Sequence, residues 1–264
     1  MVEVLQTRLI DEVTPRFRRL YEAKQLEKLL IPQPHEVADE ILRRIQSNTE
    51  GTVSAIYSLS MYSGKTTAAV DFAYKARSNG MHVFGVQPSL LRFGKQQESQ
   101  IMTHQQLEYL TFPAVLTDTN LKSVLKIAEE EKEKVEIDRL VLIIDEAMFY
   151  FDHDQNPQEA EDYIEQIRMM GIDIILTGIT RTYQTTPFIV MDHLVTASAR
   201  NNLWSATQMT TQCAFCPERA TGTARYVIEN GDIRLASVKE PPVKPGGTDL
   251  YLQVCVDKHP SFAG

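Results

Sequence analysis

Short apolar runs alternate with longer amphipathic stretches through the middle of the chain. VSAIYS (53–58), MHVFGV (81–86), RLVLIID (139–145) and IDIILTG (172–178) are branched and almost uncharged, the pattern of strands buried on both faces. SGKTTAAVDFAYKARSNG (63–80), LKSVLKIAEEEKEKVE (121–136) and PQEAEDYIEQIRMMG (157–171) predict helices between them, with EEEKEKVE as a solvated helix face. This alternation over residues 51–208 predicts an α/β core, a mostly parallel sheet flanked by helices.

The two flanks have a different texture. Residues 1–50 are rich in leucine and charge, with helical patterns broken by IPQPH (31–35). In EVADEILRRIQS, Val37, Ile41 and Ile45 share one helical face. The expectation is a helical N-terminal extension docked on the core or on a neighbouring subunit. Residues 209–264 carry CAFC, the Pro/Gly-rich SVKEPPVKPGGTD and LYLQVCVDKH, which predict short strands and a long loop in a small second domain.

Composition narrows the class. The 264 residues carry a net charge of −8, and their 43% hydrophobic content is ordinary for a globular chain. The acidic balance argues against duplex nucleic acid as a partner. No stretch approaches the ~20 apolar residues of a membrane span, and MVEVLQTRLIDEV does not read as a secretory signal. The expectation is a cytoplasmic protein with neither a membrane nor a nucleic-acid partner. Three cysteines, two of them in a C-x2-C, fit a metal site in a reducing compartment better than a disulfide framework.

Chemistry enters at LSMYSGKTT (59–67). A phosphate-binding loop turns backbone N–H groups inward at a helix N-terminus, adds a lysine for the outer phosphates and a hydroxyl for Mg²⁺. Ser63, Gly64, Lys65, Thr66 and Thr67 supply the end of such a loop between a strand and a helix, although Leu59 stands where the pattern has its first glycine. A leucine there is tolerable in the β region, and costs about 1–2 kcal/mol if the position needs a positive φ. GK[ST] alone is weak; VLIIDEAMFYFD (141–152) strengthens it. An apolar strand ending in Asp145 presents the second Mg²⁺-holding group, and Glu146 follows as a candidate general base.

Cys213-x2-Cys216 and Cys255-x3-His259 form two close pairs with 38 residues between them. Three sulfurs and an imidazole make a closed tetrahedral Zn²⁺ site with no open position, hence structural. His104 and Asp152-His153-Asp154 lack a further paired ligand and read as polar loop residues.

Together these segments resemble the zinc-containing, cellular (type II) thymidine kinase family over roughly residues 51–260. LSMYSGKTT is similar to the family's G-P-M-[FY]-S-G-K-[ST], IIDEAMFYFD to I-D-E-[AG]-Q-F-F, and GITRTYQTTPF to G-L-D-x-x-F-x-x-x-PF. CAFCPERATGTAR resembles the first zinc pair followed by A-x-x-T-x-R, and PGGTDLYLQVC the G-G-x-x-x-Y before the second. The resemblance implies a P-loop core with a zinc-anchored lasso over the nucleoside. It implies transfer of the γ-phosphate of Mg-ATP to a deoxynucleoside 5′-hydroxyl, and a homo-oligomer, tetrameric in the family. Carried over, Glu146 is the catalytic base, and Ser63 to Thr67 with Asp145 hold ATP and Mg²⁺. Met61, Phe149, Tyr183 and Phe188 line the nucleoside pocket, Thr223 and Tyr251 lie on or beside the lasso, and Arg92 survives from the family's K-P-x-x-D-x-R.

The chain departs from the family at Leu59, Ser60, Gln87, Met148 and Thr180, and QPSLLRF lacks the aspartate of K-P-x-x-D-x-R. Two other readings stay open on the residues alone. One is a kinase-like binding or regulatory protein without phosphoryl transfer. The other is a P-loop ATPase acting on nucleic acid, which the acidic balance disfavours.

Overall fold

A computed structural model describes residues 31–89, 100–102, 111–135, 139–150, 156–229, 232–242 and 251–261. The four expected strands form as β1 (Val53–Ser58), β2 (His82–Pro88), β5 (Leu140–Ile144) and β6 (Ile172–Ile179). The core sheet also contains β3 (Gln100–Met102), β4 (Thr111–Thr117) and β7 (Trp204–Gln208), which the sequence pattern did not single out. Spatial order is β3-β4-β2-β5-β6-β1-β7, and only β3 pairs antiparallel. The central strands are covered on both faces, which is why they read as continuous apolar runs.

Period-two alternation splits the core into two layers. Leu140, Leu142 and Ile144 of β5 pack with α3 (Leu121–Lys134), α4 (Pro157–Met169) and α5 (Ile189–Ala197). Val141 and Ile143 face the opposite way, towards α1 (Pro34–Ser47) and α2 (Lys65–Ser78). The same alternation carries the next odd position, Asp145, to the α2 face. On β6 it sends Ile175 there too, and with it Thr177.

Helix α1 docks on the core. Val37, Ala38, Ile41 and Ile45 bury against the Ala68, Phe72 and Ala76 side of α2. Lys75 pairs with Asp39 at 2.6 Å, and Arg139 donates to the Ile45 carbonyl at 2.7 Å near the end of α1. Residues 1–30 lie outside the described residues.

After β7 the chain changes layer. β8 (Gly222–Glu229), β9 (Asp232–Leu235) and β10 (Tyr251–Val254) make a three-stranded antiparallel sheet in the order β10-β8-β9. It has its own small core of Cys213, Ala214, Ala224, Tyr226, Leu252, Val254 and Cys255. Among the described residues, no helix is long and apolar enough to cross a membrane.

Candidate active site

The phosphate loop leaves β1 at Ser58 and enters α2 at Lys65. Gly64, at φ 84, is the residue before the helix and makes no side-chain cap. The first N–H groups of α2 are thus not claimed by a capping side chain, the arrangement that receives an anion. The glycine-for-leucine question resolves at a different residue. Among the described residues only Tyr62, Glu146 and Thr185 are non-glycine with positive φ, so Leu59 needs no left-handed backbone. Within the loop, Tyr62 at φ 58 and Gly64 at φ 84 are the left-handed residues instead.

Lys65 is buried, and its Nζ lies 3.0 Å from Ser58 Oγ and 3.2 Å from Ser63 Oγ. Ser58 Oγ in turn donates to the Ser60 carbonyl, so the loop is braced from within. Burial depresses the lysine below its ordinary range; the negative charges of Glu146 and then Asp145 work in the opposite direction. A buried ammonium held by two neutral hydroxyls gains most from an anion placed beside it.

Asp145 and Glu146 stand at the carboxyl end of β5, beside the loop. Thr66 Oγ1 lies 3.3 Å from Asp145 Oδ1. Thr177 Oγ1 reaches the same oxygen at 2.5 Å and also accepts the Glu146 N–H at 3.3 Å. Glu146 itself is left-handed, at φ 52 and ψ 44, and opens a single 3₁₀ turn over Ala147–Phe149. Lysine, hydroxyl and two carboxylates therefore converge where parallel-sheet proteins bind ligands, beyond the carboxyl ends of the strands.

The Met61 N–H donates to Thr223 Oγ1 at 3.0 Å, linking the phosphate loop to β8. Phe149 and Phe188 meet edge to face with centroids 6.2 Å apart. Tyr183 is buried; its hydroxyl lies 3.0 Å from the carbonyls of both Ser237 and Glu240, and its ring faces the Arg225 guanidinium at 5.2 Å. Gln184 Nε2 adds bonds to the Val238 and Glu240 carbonyls. Tyr251, also buried, pairs with Arg225 in the β10–β8 register. Arg92, His104 and Asp152-His153-Asp154 lie outside the described residues.

The second cluster is at the base of the small sheet. One ligand atom from each of Cys213, Cys216, Cys255 and His259 lies within 4.8 Å of the others. Sulfurs bound to Zn²⁺ at about 2.3 Å sit roughly 3.8 Å apart in a tetrahedron, so this donor set fits such an ion. Burial, then the neighbouring sulfurs, push the Cys255 thiol up to about 12. A divalent cation held among the three sulfurs would displace the thiol protons, since each ligand sulfur binds as the thiolate. The two halves are also joined by Lys258–Glu218 at 2.7 Å, and Phe215 packs on the His259 ring at 5.1 Å.

The family model described as thymidine kinase matches residues 51–259. The chain belongs to the thymidine kinase family. Against curated proteins taken one at a time, it has no match. Membership makes the protein a phosphotransferase acting on nucleosides, with ATP use typical of the family. The sheet architecture and the Cys₃His cluster are those expected of a thymidine kinase of the zinc-containing type.

Among these thymidine kinase elements, Thr177, Gln184 and Arg225 take part in the network although sequence reasoning did not select them. Thr177 is disguised as an ordinary strand former within IDIILTG. Gln184 and Arg225 sit inside quoted motifs, but their contacts depend on how the 237–242 segment folds back. At other departures from the family, Met148 packs its sulfur against Gly178, and Gln87 Nε2 donates to the Gln100 carbonyl at 2.8 Å.

Proposed function

We propose that the protein transfers the γ-phosphoryl group of Mg-ATP to the 5′-hydroxyl of thymidine or a closely related pyrimidine deoxynucleoside. The observation that carries this reading is the convergence of buried Lys65, Thr66 and Asp145 at the uncapped start of α2, with Glu146 next in sequence. ATP supplies the phosphoryl group, and Mg²⁺ spreads the charge of its oxygens.

Ser63 to Thr67 cradle the phosphates, Lys65 holds the outer ones, and Thr66 with Asp145 holds the metal ion. Glu146 accepts the proton of the nucleoside 5′-hydroxyl as that oxygen attacks in line. Met61, Arg92, Phe149, Tyr183, Phe188, Thr223 and Tyr251 form the nucleoside side of the site. The zinc ion fixes the ends of the lasso and takes no part in the chemistry. In this reading residues 1–50 are an appendage to the core 51–208, residues 209–264 form the lasso domain, and the enzyme works in the cytoplasm as a homo-oligomer.

The test is steady-state phosphorylation of each deoxynucleoside by the zinc-loaded chain. Turnover of thymidine or deoxyuridine, with kcat reduced about 10²–10⁴-fold by Glu146→Gln, is expected. Nucleoside binding by calorimetry without any turnover would replace this reading with a binding or regulatory role.

A further inference from the structure

Strand β6 is buried and almost wholly apolar, yet at Thr177 it places a hydroxyl on the α2 face, 1% exposed. The β5–β6 register explains what it meets. Ile144 pairs with Leu176, so the next residues along, Asp145 and Thr177, stand side by side on one face. On its other side β6 pairs with β1, Ile56 opposite Thr177, so this threonine stands between the strand that ends in the acidic pair and the strand that feeds the phosphate loop.

A hydroxyl has one proton to give and lone pairs to accept with. Thr177 uses both on consecutive residues. Its proton goes to Asp145 Oδ1 at 2.5 Å, and its oxygen accepts the Glu146 N–H at 3.3 Å. Thr66 Oγ1 approaches that same Oδ1 at 3.3 Å, so two hydroxyls fix the orientation of one carboxylate. The Glu146 bond matters for a second reason. A left-handed glutamate is strained and persists only when its surroundings hold it there. The Thr177 bond on its N–H and the Phe149 N–H on its carbonyl, at 3.0 Å, are two of those holds.

We propose that Thr177 is a positioning residue for phosphoryl transfer: one hydroxyl sets both the metal-facing carboxylate of Asp145 and the left-handed backbone from which Glu146 reaches the substrate. This rests on the kinase reading above, and it adds a residue that touches neither substrate nor nucleotide.

Thr177→Val keeps the shape and removes the hydroxyl; Thr177→Ser keeps the hydroxyl and removes a methyl group. In the full, zinc-loaded chain, the valine variant should lose roughly 10-fold to 100-fold in kcat, with KM for thymidine within about threefold of the parent. The gain in ATP affinity on adding Mg²⁺, measured by calorimetry without nucleoside, should shrink by about 10-fold. A crystal structure of the variant should show Glu146 out of the left-handed region. Thr177→Ser should restore kcat and the Mg²⁺ gain. A valine variant within twofold of the parent on both readouts overturns the proposal, as does a serine variant as impaired as valine. If the parent does not phosphorylate nucleosides, the kinase reading falls. Thr177 is then judged on the Mg²⁺ gain alone: loss with serine rescue supports it, and no change overturns it. Should the valine variant not fold, Thr177→Ala adds no bulk and is read in the same way.

Discussion

The Met61 N–H donates to the Thr223 hydroxyl at 3.0 Å, and this bond ties the phosphate loop directly to β8 of the small sheet. Met61 lies three residues before Gly64, so in the kinase reading this bond connects β8 to the nucleotide end of the site.

Replacing Thr223 with valine keeps its size and leaves the Met61 N–H without this partner. A fully buried donor left unpaired costs about 1–3 kcal/mol, and this one is partly buried, which sets the lower end of that range. The expected result is a rise in KM for thymidine of about 10-fold, with a smaller rise in KM for ATP. Steady-state kinetics with each substrate varied in turn checks it. An unchanged KM for both would show that the loop and the sheet do not depend on this bond.

Tyr183 holds the 237–240 segment. Its hydroxyl lies between the Ser237 and Glu240 carbonyls, while Arg225, under the ring, donates to the Pro241 carbonyl at 2.6 Å. Tyr183→Phe deletes the hydroxyl and keeps the ring over Arg225. The 237–242 segment should then be cut sooner by protease, and nucleoside should protect it less than in the parent. Limited proteolysis with and without thymidine reads both effects. Equal cleavage rates in the two proteins would assign the clamp to Gln184 and Arg225 instead.

How much of this was legible beforehand follows from what each strand does. β1, β2, β5 and β6 are sandwiched between helices, and burial on both faces writes an unbroken apolar run into the sequence. β4 is different: TFPAVLT places Pro113 and Val115 outward, and a proline inside a run argues against a strand unless the strand lies near an edge. β7, WSATQ, is the sheet's edge and is mostly polar after Trp204. In the site, charged and sulfur-bearing residues announce themselves by type and spacing. Thr177 does not, because its role depends on β5 and β6 being neighbours, which no local pattern states. Whether Leu59 needed a left-handed backbone was likewise open from sequence, since only the path of the chain decides that it is Tyr62 that takes one.

The Cys₃His cluster joins segments 38 residues apart, so an ion held there would close a long loop as well as fill a site. One zinc per chain is expected by elemental analysis. Cys255→Ser should abolish the stoichiometric zinc, and with it thymidine turnover, while far-ultraviolet dichroism from the α/β core largely persists. Chelation should act on the parent in the same direction, reversed by added zinc. Full activity in a chain shown to be zinc-free would remove the ion from the account of the lasso.

Lys65 yields a prediction with a definite sign. Burial lowers its folded-state pKa below the ordinary 10.5, so below that folded value both states carry the proton and the native state bears the whole cost of the buried charge. Between the folded value and 10.5 the unfolded chain binds more protons, and stability rises with pH. Lys65→Met, similar in length and uncharged, should therefore raise the Tm of the nucleotide-free protein at pH 7, by ~2–4 °C for each kcal/mol relieved. The gain should shrink as pH climbs towards 10.5. A bound triphosphate reverses the balance, because its negative charge favours the ammonium. ATP should then stabilise the parent but not the methionine variant, and ATP affinity should fall as pH rises through the lowered lysine pKa. Thermal denaturation across pH, with and without ATP, tests each arm. A methionine variant less stable than the parent at pH 7 would mean that Ser58, Ser63, Asp145 and Glu146 already offset the burial of this charge.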